Sequence, residues 1–364
     1  MAYLVLGTLY LVPGTSTFLR LSTVIDLLTV PDARRAAIES FAHEFKSGRK
    51  VALSTHLNAD GDGCGSESAL AALLAARGMI VRVVNPTPWP DMFDFLLASS
   101  FENLTSKGSK ALRDIDLLIV LDISDVTRLG NLTESVRAMT VPKLVIDHHV
   151  ASDDPAGPDG VSDTTACATA ELVYDIAQVL GLEITPHIAR ALYTGMLTDT
   201  GGFRFSNTSP RCLAVAAQLL AYGVNPEEMY TRIYASAPAG RVRLMADVLA
   251  TLQVDEEHGL TWLTMQADAL EKYAVKSEDL DGIVEHARSI AGTRMALFFR
   301  DLGHRKVKIS FRSIGSTDVN AFAREFGGGG HAKAAGAMVT GDLAEVRDNV
   351  VERARIYLGA KPIV

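Results

Sequence analysis

Val51-Ala52-Leu53-Ser54-Thr55-His56-Leu57-Asn58-Ala59-Asp60-Gly61-Asp62-Gly63-Cys64-Gly65-Ser66 begins as a short apolar run and turns abruptly into acids, an imidazole and glycines. A buried strand followed by a polar, glycine-rich loop is the signature of an open α/β sheet, where the carboxyl ends of parallel strands line one crevice. The same grammar recurs downstream. Asp122 follows Leu117-Leu118-Ile119-Val120-Leu121, Asp147-His148-His149 follows Leu144-Val145-Ile146, and Asp199 closely follows the apolar, strand-like run Leu192-Tyr193-Thr194-Gly195-Met196-Leu197. Brought together, these acids and imidazoles can hold two metal ions.

Working outward, residues 31–47 read as a leading helix with Ala36, Ile38, Phe41, Ala42 and Phe45 on its apolar face. Ser66 is expected to cap a helix through Leu70, Leu73 and Leu74 that stops at Gly78. Strands are expected at 79–84, 117–121 and 143–146, giving a doubly wound α/β domain with a largely parallel sheet. A Pro/Gly/Asp-rich loop after Asp154 leads to helical signals near 169–180, 186–197 and 210–222. The pattern then changes to strands at 260–265, 294–300 and 306–312, a smaller mixed-sheet α/β domain. The expected layout is an N-terminal extension at 1–23, a catalytic domain at 24–236, a linker at 237–257 and a substrate-binding domain at 258–364.

The chain has 364 residues, enough for two ordinary domains, and its 48% hydrophobic and 21% charged content is that of a globular protein. The apolar run at 2–12 is about half of the ~20 residues that cross a bilayer, and it lacks a basic leader and a cleavage site, so no membrane segment is expected. Cys64, Cys167 and Cys212 form no CxxC pair and are odd in number, which fits a reducing cytoplasm. A net charge of −8 argues against a protein that coats long nucleic acid. Charge is uneven, with eight Lys or Arg against three Asp or Glu over residues 291–340, where an anionic substrate would be met.

A turn at Gly61 and Gly63 would let Asp60 and Asp62 face adjacent ions, with Asp122 as the bridge. Two divalent ions clamp both oxygens of a phosphoryl transfer and acidify water. Carboxylates with one imidazole per ion favour Mn²⁺, with Mg²⁺ as the alternative, over the thiolate-rich sites of zinc. An isolated Asp at a strand end is more often a helix cap, and paired loop histidines usually face solvent; the combination carries the reading. A dinucleotide site fits poorly, because the third glycine of GxGxxG falls on Ser66 and no acid follows Val84-Asn85 to hold a ribose. In the second domain, glycines 327–330 are expected to turn backbone N–H groups onto a phosphate, with His331 as a further donor, and Arg312 to pair with a terminal phosphate.

These segments resemble the motifs of the DHH/DHHA1 phosphoesterase superfamily. His56 to Ser66 is similar to its HxNPDGDxxGS motif, with Ala59 in the proline position, and Asp122-Ile123-Ser124-Asp125 to its second motif. Asp147-His148-His149 is similar to the motif that names the family, and Leu197-Thr198-Asp199-Thr200-Gly201-Gly202-Phe203-Arg204 to the fourth. Gly327-Gly328-Gly329-Gly330-His331-Ala332-Lys333-Ala334-Ala335-Gly336 resembles the GGGH signature of the DHHA1 part. The two-domain layout is similar to the nanoRNase/pAp phosphatases, which cleave oligoribonucleotides a few residues long and remove the 3′-phosphate of 3′-phosphoadenosine 5′-phosphate.

The resemblance implies one Mn²⁺ on His56, Asp60 and Asp122, a second on Asp62, Asp122, His148 and Asp199, and His149 beside the scissile phosphate. It implies metal-dependent hydrolysis of short oligoribonucleotides or small nucleotides in the cleft between the domains, with Gly328, Gly329, Gly330, His331 and Arg312 on the substrate; Cys64 is a packing residue. No long duplex is expected as a partner, and a homodimer is left open. The rivals are a cyclic di-AMP or pApA phosphodiesterase, a family II inorganic pyrophosphatase, which would lack Gly327 to His331, and a non-catalytic nucleotide-binding regulator, which would have lost a metal ligand.

Overall fold

A computed structural model describes residues 27–280 and 282–359; the extension at 1–23 lies outside the described residues. The chain forms two compact units, Met1–Ile233 and Tyr234–Val364.

In the first unit, strands β1 (Lys50–Ser54), β2 (Ile80–Val83), β3 (Glu102–Asn103), β4 (Leu117–Leu121), β5 (Lys143–Asp147) and β6 (Asp159–Ser162) form one parallel sheet in the order β3-β2-β1-β4-β5-β6. The order reverses between β1 and β4, so the loops leaving these two strands open a crevice at the switch point. Side chains alternate across the sheet. Val51, Leu53, Leu117, Ile119 and Leu121 enter one apolar cluster, while Ala52, Leu118 and Val120 enter another on the opposite face.

Among the described residues the α-helices of this unit are α1 (Asp32–Phe41), α2 (Gly61–Ala76), α3 (Thr133–Arg137), α4 (Thr169–Val179), α5 (Pro186–Asp199), α6 (Pro210–Ala221) and α7 (Pro226–Tyr234). Thr185 and Ser209 cap α5 and α6, each ahead of a proline in the first turn, where its missing N–H costs nothing. A side chain at Gly65 would collide with the Ala191 carbonyl, and one at Gly195 would meet Asp62 Oδ1. These glycines let α2 and α5 approach closely enough to bring Asp62 towards Asp199. Buried Arg34 ties α1 to α4, its Nη1 donating to Glu171 Oε1 at 2.7 Å and Asp175 Oδ2 at 2.9 Å. Arg211 of α6 donates to the same two acids at 2.7 and 2.6 Å.

Several local expectations are corrected. Helix α2 starts at Gly61 rather than at Ser66: Asp60 is its cap and accepts from the N–H groups of Asp62 (3.0 Å) and Gly63 (3.1 Å). Gly61 and Gly63 are therefore the first helical turn rather than a sharp loop, and Ser66 lies buried inside the helix. The run before Asp199, strand-like by itself, is helical as the wider signal at 186–197 predicts, and Asp199 ends α5. Its continuous apolar character reflects a helix buried almost all round, which periodicity alone cannot separate from a buried strand. The loop expected after Asp154 contains β6, paired with β5 where Gly160 passes too close to Val145 for a side chain.

The second unit holds α8 (Ala239–Leu249), β7 (Gln253–Asp255), β8 (Leu260–Met265), α9 (Ala269–Tyr273), α10 (Ile283–Arg288), β9 (Met295–Asp301), β10 (Lys306–Ser313), α11 (Val319–Arg324), β11 (Gly329–His331), β12 (Ala334–Thr340) and α12 (Leu343–Leu358). Its sheet runs β11-β12-β10-β9-β8-β7, with β8 and β9 parallel and the other pairs antiparallel. Alternation again makes two cores. Leu297, Phe299, Ile309 and Phe311 pack with Phe322 and Val350, and Ala296 and Phe298 with Leu244, Val248 and Ile283. No helix among the described residues is long and apolar enough to cross a membrane.

Candidate metal centre

The loops after β1, β4 and β5, the first turn of α2 and the end of α5 deliver the acids and imidazoles to one place. His56 is buried, and its Nδ1 lies 2.8 Å from the Leu57 carbonyl oxygen. That partner assigns the proton to Nδ1 and leaves Nε2 as the ligating atom. His56 Nε2 is 3.3 Å from Asp122 Oδ2 and 3.7 Å from Asp60 Oδ2. His148 repeats the arrangement, with Nδ1 3.3 Å from the Ala166 carbonyl oxygen and Nε2 3.8, 3.6 and 3.7 Å from carboxylate oxygens of Asp62, Asp122 and Asp199.

Metal–ligand bonds of about 2.0–2.2 Å put neighbouring ligand atoms about 3 to 3.6 Å apart, so these gaps are near those of atoms sharing an ion. His148 Nε2 is buried and has no hydrogen-bond partner. Both imidazoles turn Nε2 to carboxylates, and no lysine or arginine bonds to Asp60, Asp62, Asp122 or Asp199 among the ion pairs of the described residues. The donor set therefore fits hard divalent cations bound by oxygen and imidazole. His56, Asp60 and Asp122 form one group with ligand atoms within 4.8 Å of one another, and Asp122, His148 and His149 another, so Asp122 belongs to both.

The electrostatics agree. Burial, and then the charges of Asp122, Asp199 and Asp60, hold the Asp62 carboxyl well above its ordinary range. Burial pushes Asp199 up to about 6 despite the opposing pull of His148. Burial works to lower His56, yet hydrogen bonds to Asp122 and Asp60 outweigh it and raise the imidazole to about 10. Asp60 behaves oppositely: burial works to raise it, but His56 and the N–H groups of Gly63 and Asp62 hold it below its ordinary range, so the shortage of positive charge is felt at Asp62 and Asp199. Asp122 sits at φ 63°, a left-handed conformation that strains most residues but is tolerated by Asp and Asn. That backbone turn carries the side chain into the crevice as β4 ends.

His149 differs from its neighbour. Its Nδ1 is 2.7 Å from Asp147 Oδ1, and the side chain is 41% exposed. The Asp147 hydrogen bond raises its pKa, burial opposes this, and Asp122 adds to it. Asp147 is thus the residue that orients His149, a role its place in the motif did not announce. Glu67 was not singled out by the sequence either. It is buried, its Oε2 accepts from Asn85 Nδ2 at 2.8 Å, and burial pushes it up to about 8. Cys64 is fully buried.

In the second unit, Arg312 is half-buried on β10, its Nε 3.1 Å from Glu285 Oε1 and its Nη1 3.1 Å from its neighbour's Phe311 carbonyl oxygen. The glycine run is built otherwise than the sequence suggests. The N–H groups of Gly327 and Gly328 donate to the carbonyl oxygens of Arg324 and Ala323, and that of Gly330 to Asn320 Oδ1 at 3.0 Å. Those three donors are already engaged. The glycines instead permit close strand contact, since a side chain at Gly328 or Gly330 would strike the Gly336 or Ala334 carbonyl. His331 pairs with Ala334 through β11; its side chain lies outside what the structure describes.

Comparison with known proteins agrees with this anatomy. Residues 50–196 match the model of the DHH family, N-terminal domain, and residues 262–359 that of the DHHA1 domain. The chain is 35% identical over 308 residues to the bifunctional oligoribonuclease and PAP phosphatase NrnA of Thermus thermophilus, covering 84% of this chain and 89% of that protein. It is 27% identical to the protein of the same name in Bacillus subtilis, covering 79% and 89%. Among solved structures, an exopolyphosphatase-related protein from Bacteroides fragilis superposes with a TM-score of 0.81 at 28% identity, covering 88% of this chain and 95% of that one.

Proposed function

Because the chain belongs to the DHH/DHHA1 family of phosphoesterases, we propose that it hydrolyses the phosphate esters of short oligoribonucleotides and of 3′-phosphoadenosine 5′-phosphate. The observation that carries the reading is the convergence of His56, Asp60, Asp62, Asp122, His148 and Asp199, with both imidazole Nε2 atoms turned to the carboxylates. His56, Asp60 and Asp122 would hold one divalent ion and Asp62, Asp122, His148 and Asp199 a second; Mn²⁺ suits this donor set, with Mg²⁺ as the alternative. When bound, such a pair supplies positive charge against the phosphate and lowers the pKa of water.

The chain's own residues do the rest. Asp147 holds His149 by Nδ1 and favours its charged form, so His149 can hydrogen-bond a phosphate oxygen or give a proton to the leaving oxygen. Arg312 keeps part of its guanidinium free of Glu285 and can take a terminal phosphate as a charged fork. The glycines serve as a surface that a nucleotide can approach closely, and His331 as a further donor.

The test is a panel of di- to pentaribonucleotides, pAp, pApA, cyclic di-AMP and pyrophosphate, assayed with Mn²⁺ and resolved by product chromatography. Mononucleotides from the short RNAs and AMP from pAp are the expected products. Turnover of pyrophosphate alone, or of cyclic di-AMP in preference to both, would replace this reading.

A further inference from the structure

The ligands proposed for the two ions are held in different ways. His56 and Asp60 are oriented within their own loop, by the Leu57 carbonyl and by the N–H groups of Asp62 and Gly63. Those of the other ion all reach one distant segment, Ala166 to Ala170, at the start of α4, although Asp62 Oδ1 also accepts from Ser66 Oγ of its own helix at 3.2 Å. The Ala166 carbonyl accepts from His148 Nδ1. Asp62 Oδ2 accepts from the Thr169 N–H at 2.6 Å, and its Oδ1 from the Ala170 N–H at 3.0 Å. Thr169 Oγ1 donates to Asp122 Oδ1 at 3.0 Å. Asp199 is reached through Asn207, whose Nδ2 lies 3.1 Å from Asp199 Oδ2 and 2.9 Å from the Cys167 carbonyl oxygen.

The segment is itself anchored. Glu171 Oε2 accepts from the Cys167 N–H at 2.9 Å, while Glu171 Oε1 is bonded to Arg34 and Arg211. Thr169 is fully buried, so its hydroxyl has no water to turn to, and the bond to Asp122 fixes one carboxylate oxygen while the other faces His56.

We propose that Thr169 is a positioning residue that sets the affinity of one of the two metal sites, the one built from Asp62, Asp122, His148 and Asp199. The proposal rests on the metal reading given above. Outer hydrogen-bond partners of this kind typically change metal affinity about 10- to 100-fold when removed. Thr169→Val keeps the shape and deletes the hydroxyl; Thr169→Ser keeps the hydroxyl and deletes a methyl group. Asn207→Ala removes the partner of Asp199 from the less buried side.

The full-length protein is stripped with chelator and titrated with Mn²⁺ by calorimetry and by the EPR signal of free Mn²⁺. Two binding steps are expected for the wild type. In T169V one step weakens about 10- to 100-fold and the other less than about threefold, T169S stays near wild type, and N207A weakens the same step. The folded state of each variant is checked by its metal-free melting curve, and N207A with T169S decides the matter if T169V does not fold. Two steps within about twofold of wild type in T169V, or in N207A where T169V is unfolded, would overturn the proposal while leaving the metal reading intact. Equal weakening of both steps, or T169S behaving as T169V, would also overturn it. A wild-type protein that takes up no Mn²⁺ would overturn the metal reading and this proposal together.

Discussion

Two clusters of buried charge meet at the start of α4, and they are composed in opposite ways. Around Glu171 and Asp175 the chain supplies its own cations, Arg34 and Arg211, and each acid accepts from both. Around Asp62, Asp122 and Asp199 no arginine or lysine takes part among the described residues; the partners are two imidazoles that turn Nε2 to the carboxylates. Buried charge is tolerable only when compensated. Where the chain provides the compensation, the cluster fastens α1, α4 and α6; where it withholds it, the cluster could hold metal ions.

The sharpest way to break this comparison is Asp122→Asn. Asn keeps the size and the left-handed backbone but lacks the charge shared by both proposed ion groups. Hydrolysis should fall roughly 10³-fold or more, at least about 4 kcal/mol on the barrier. Retention of a tenth of wild-type turnover at saturating Mn²⁺ would remove Asp122 from the bridge. The mirror experiment is Arg34→Met, which strands acids that the chain itself compensates. Denaturant unfolding should show a loss of about 3 to 5 kcal/mol, as for other broken buried pairs. A change under about 1 kcal/mol would mean Arg211 suffices.

Metal addition separates the clusters directly. At a hundred times its dissociation constant, Mn²⁺ should stabilise the metal-free protein by about 2.7 kcal/mol per site. Hydrogen exchange should slow in the amides of β1, β4 and the start of α4 and stay unchanged in β9 and β10. Slowing that is uniform over both units would contradict a site confined to the first. The smallest effect is expected in the second unit: Arg312→Ala removes one charged hydrogen-bond donor from a partly exposed strand. It should lower kcat/KM for dinucleotides and pAp roughly 10-fold, up to 100-fold. Hydrolysis of bis(p-nitrophenyl) phosphate, which offers no second nucleotide to hold, should change much less. Equal losses on both would give Arg312 a structural role through Glu285.

The residues of the candidate site were legible because each stands in a short motif next to an apolar run, and such runs mark the ends of buried elements. The type of the last element was legible only in part, since 186–197 carries a helical signal while 192–197 by itself reads as strand-like. Residues 192–197 carry no charged side chain because α5 packs among α2, α4 and α6, so no charged face betrays the helical period. Thr169 and Asn207 were invisible for another reason. A threonine at a helix start is an ordinary residue until its hydroxyl is found beside Asp122, 47 positions away in sequence. The glycine run was legible as glycines but not as donors, since nothing local shows that Asn320, Ala323 and Arg324 already accept from them.

The sequence by itself determined the α/β class, the crevice-forming strand ends and the set of acids and imidazoles, because hydrophobic periodicity and side-chain chemistry are local properties. Only the tertiary structure decided which nitrogen of His56 and of His148 faces the carboxylates, which carboxylates have no lysine or arginine partner among the described residues and which backbone groups orient them. Those outcomes depend on hydrogen bonds between segments far apart in the chain, and burial makes each such bond decisive by taking away water as the alternative partner.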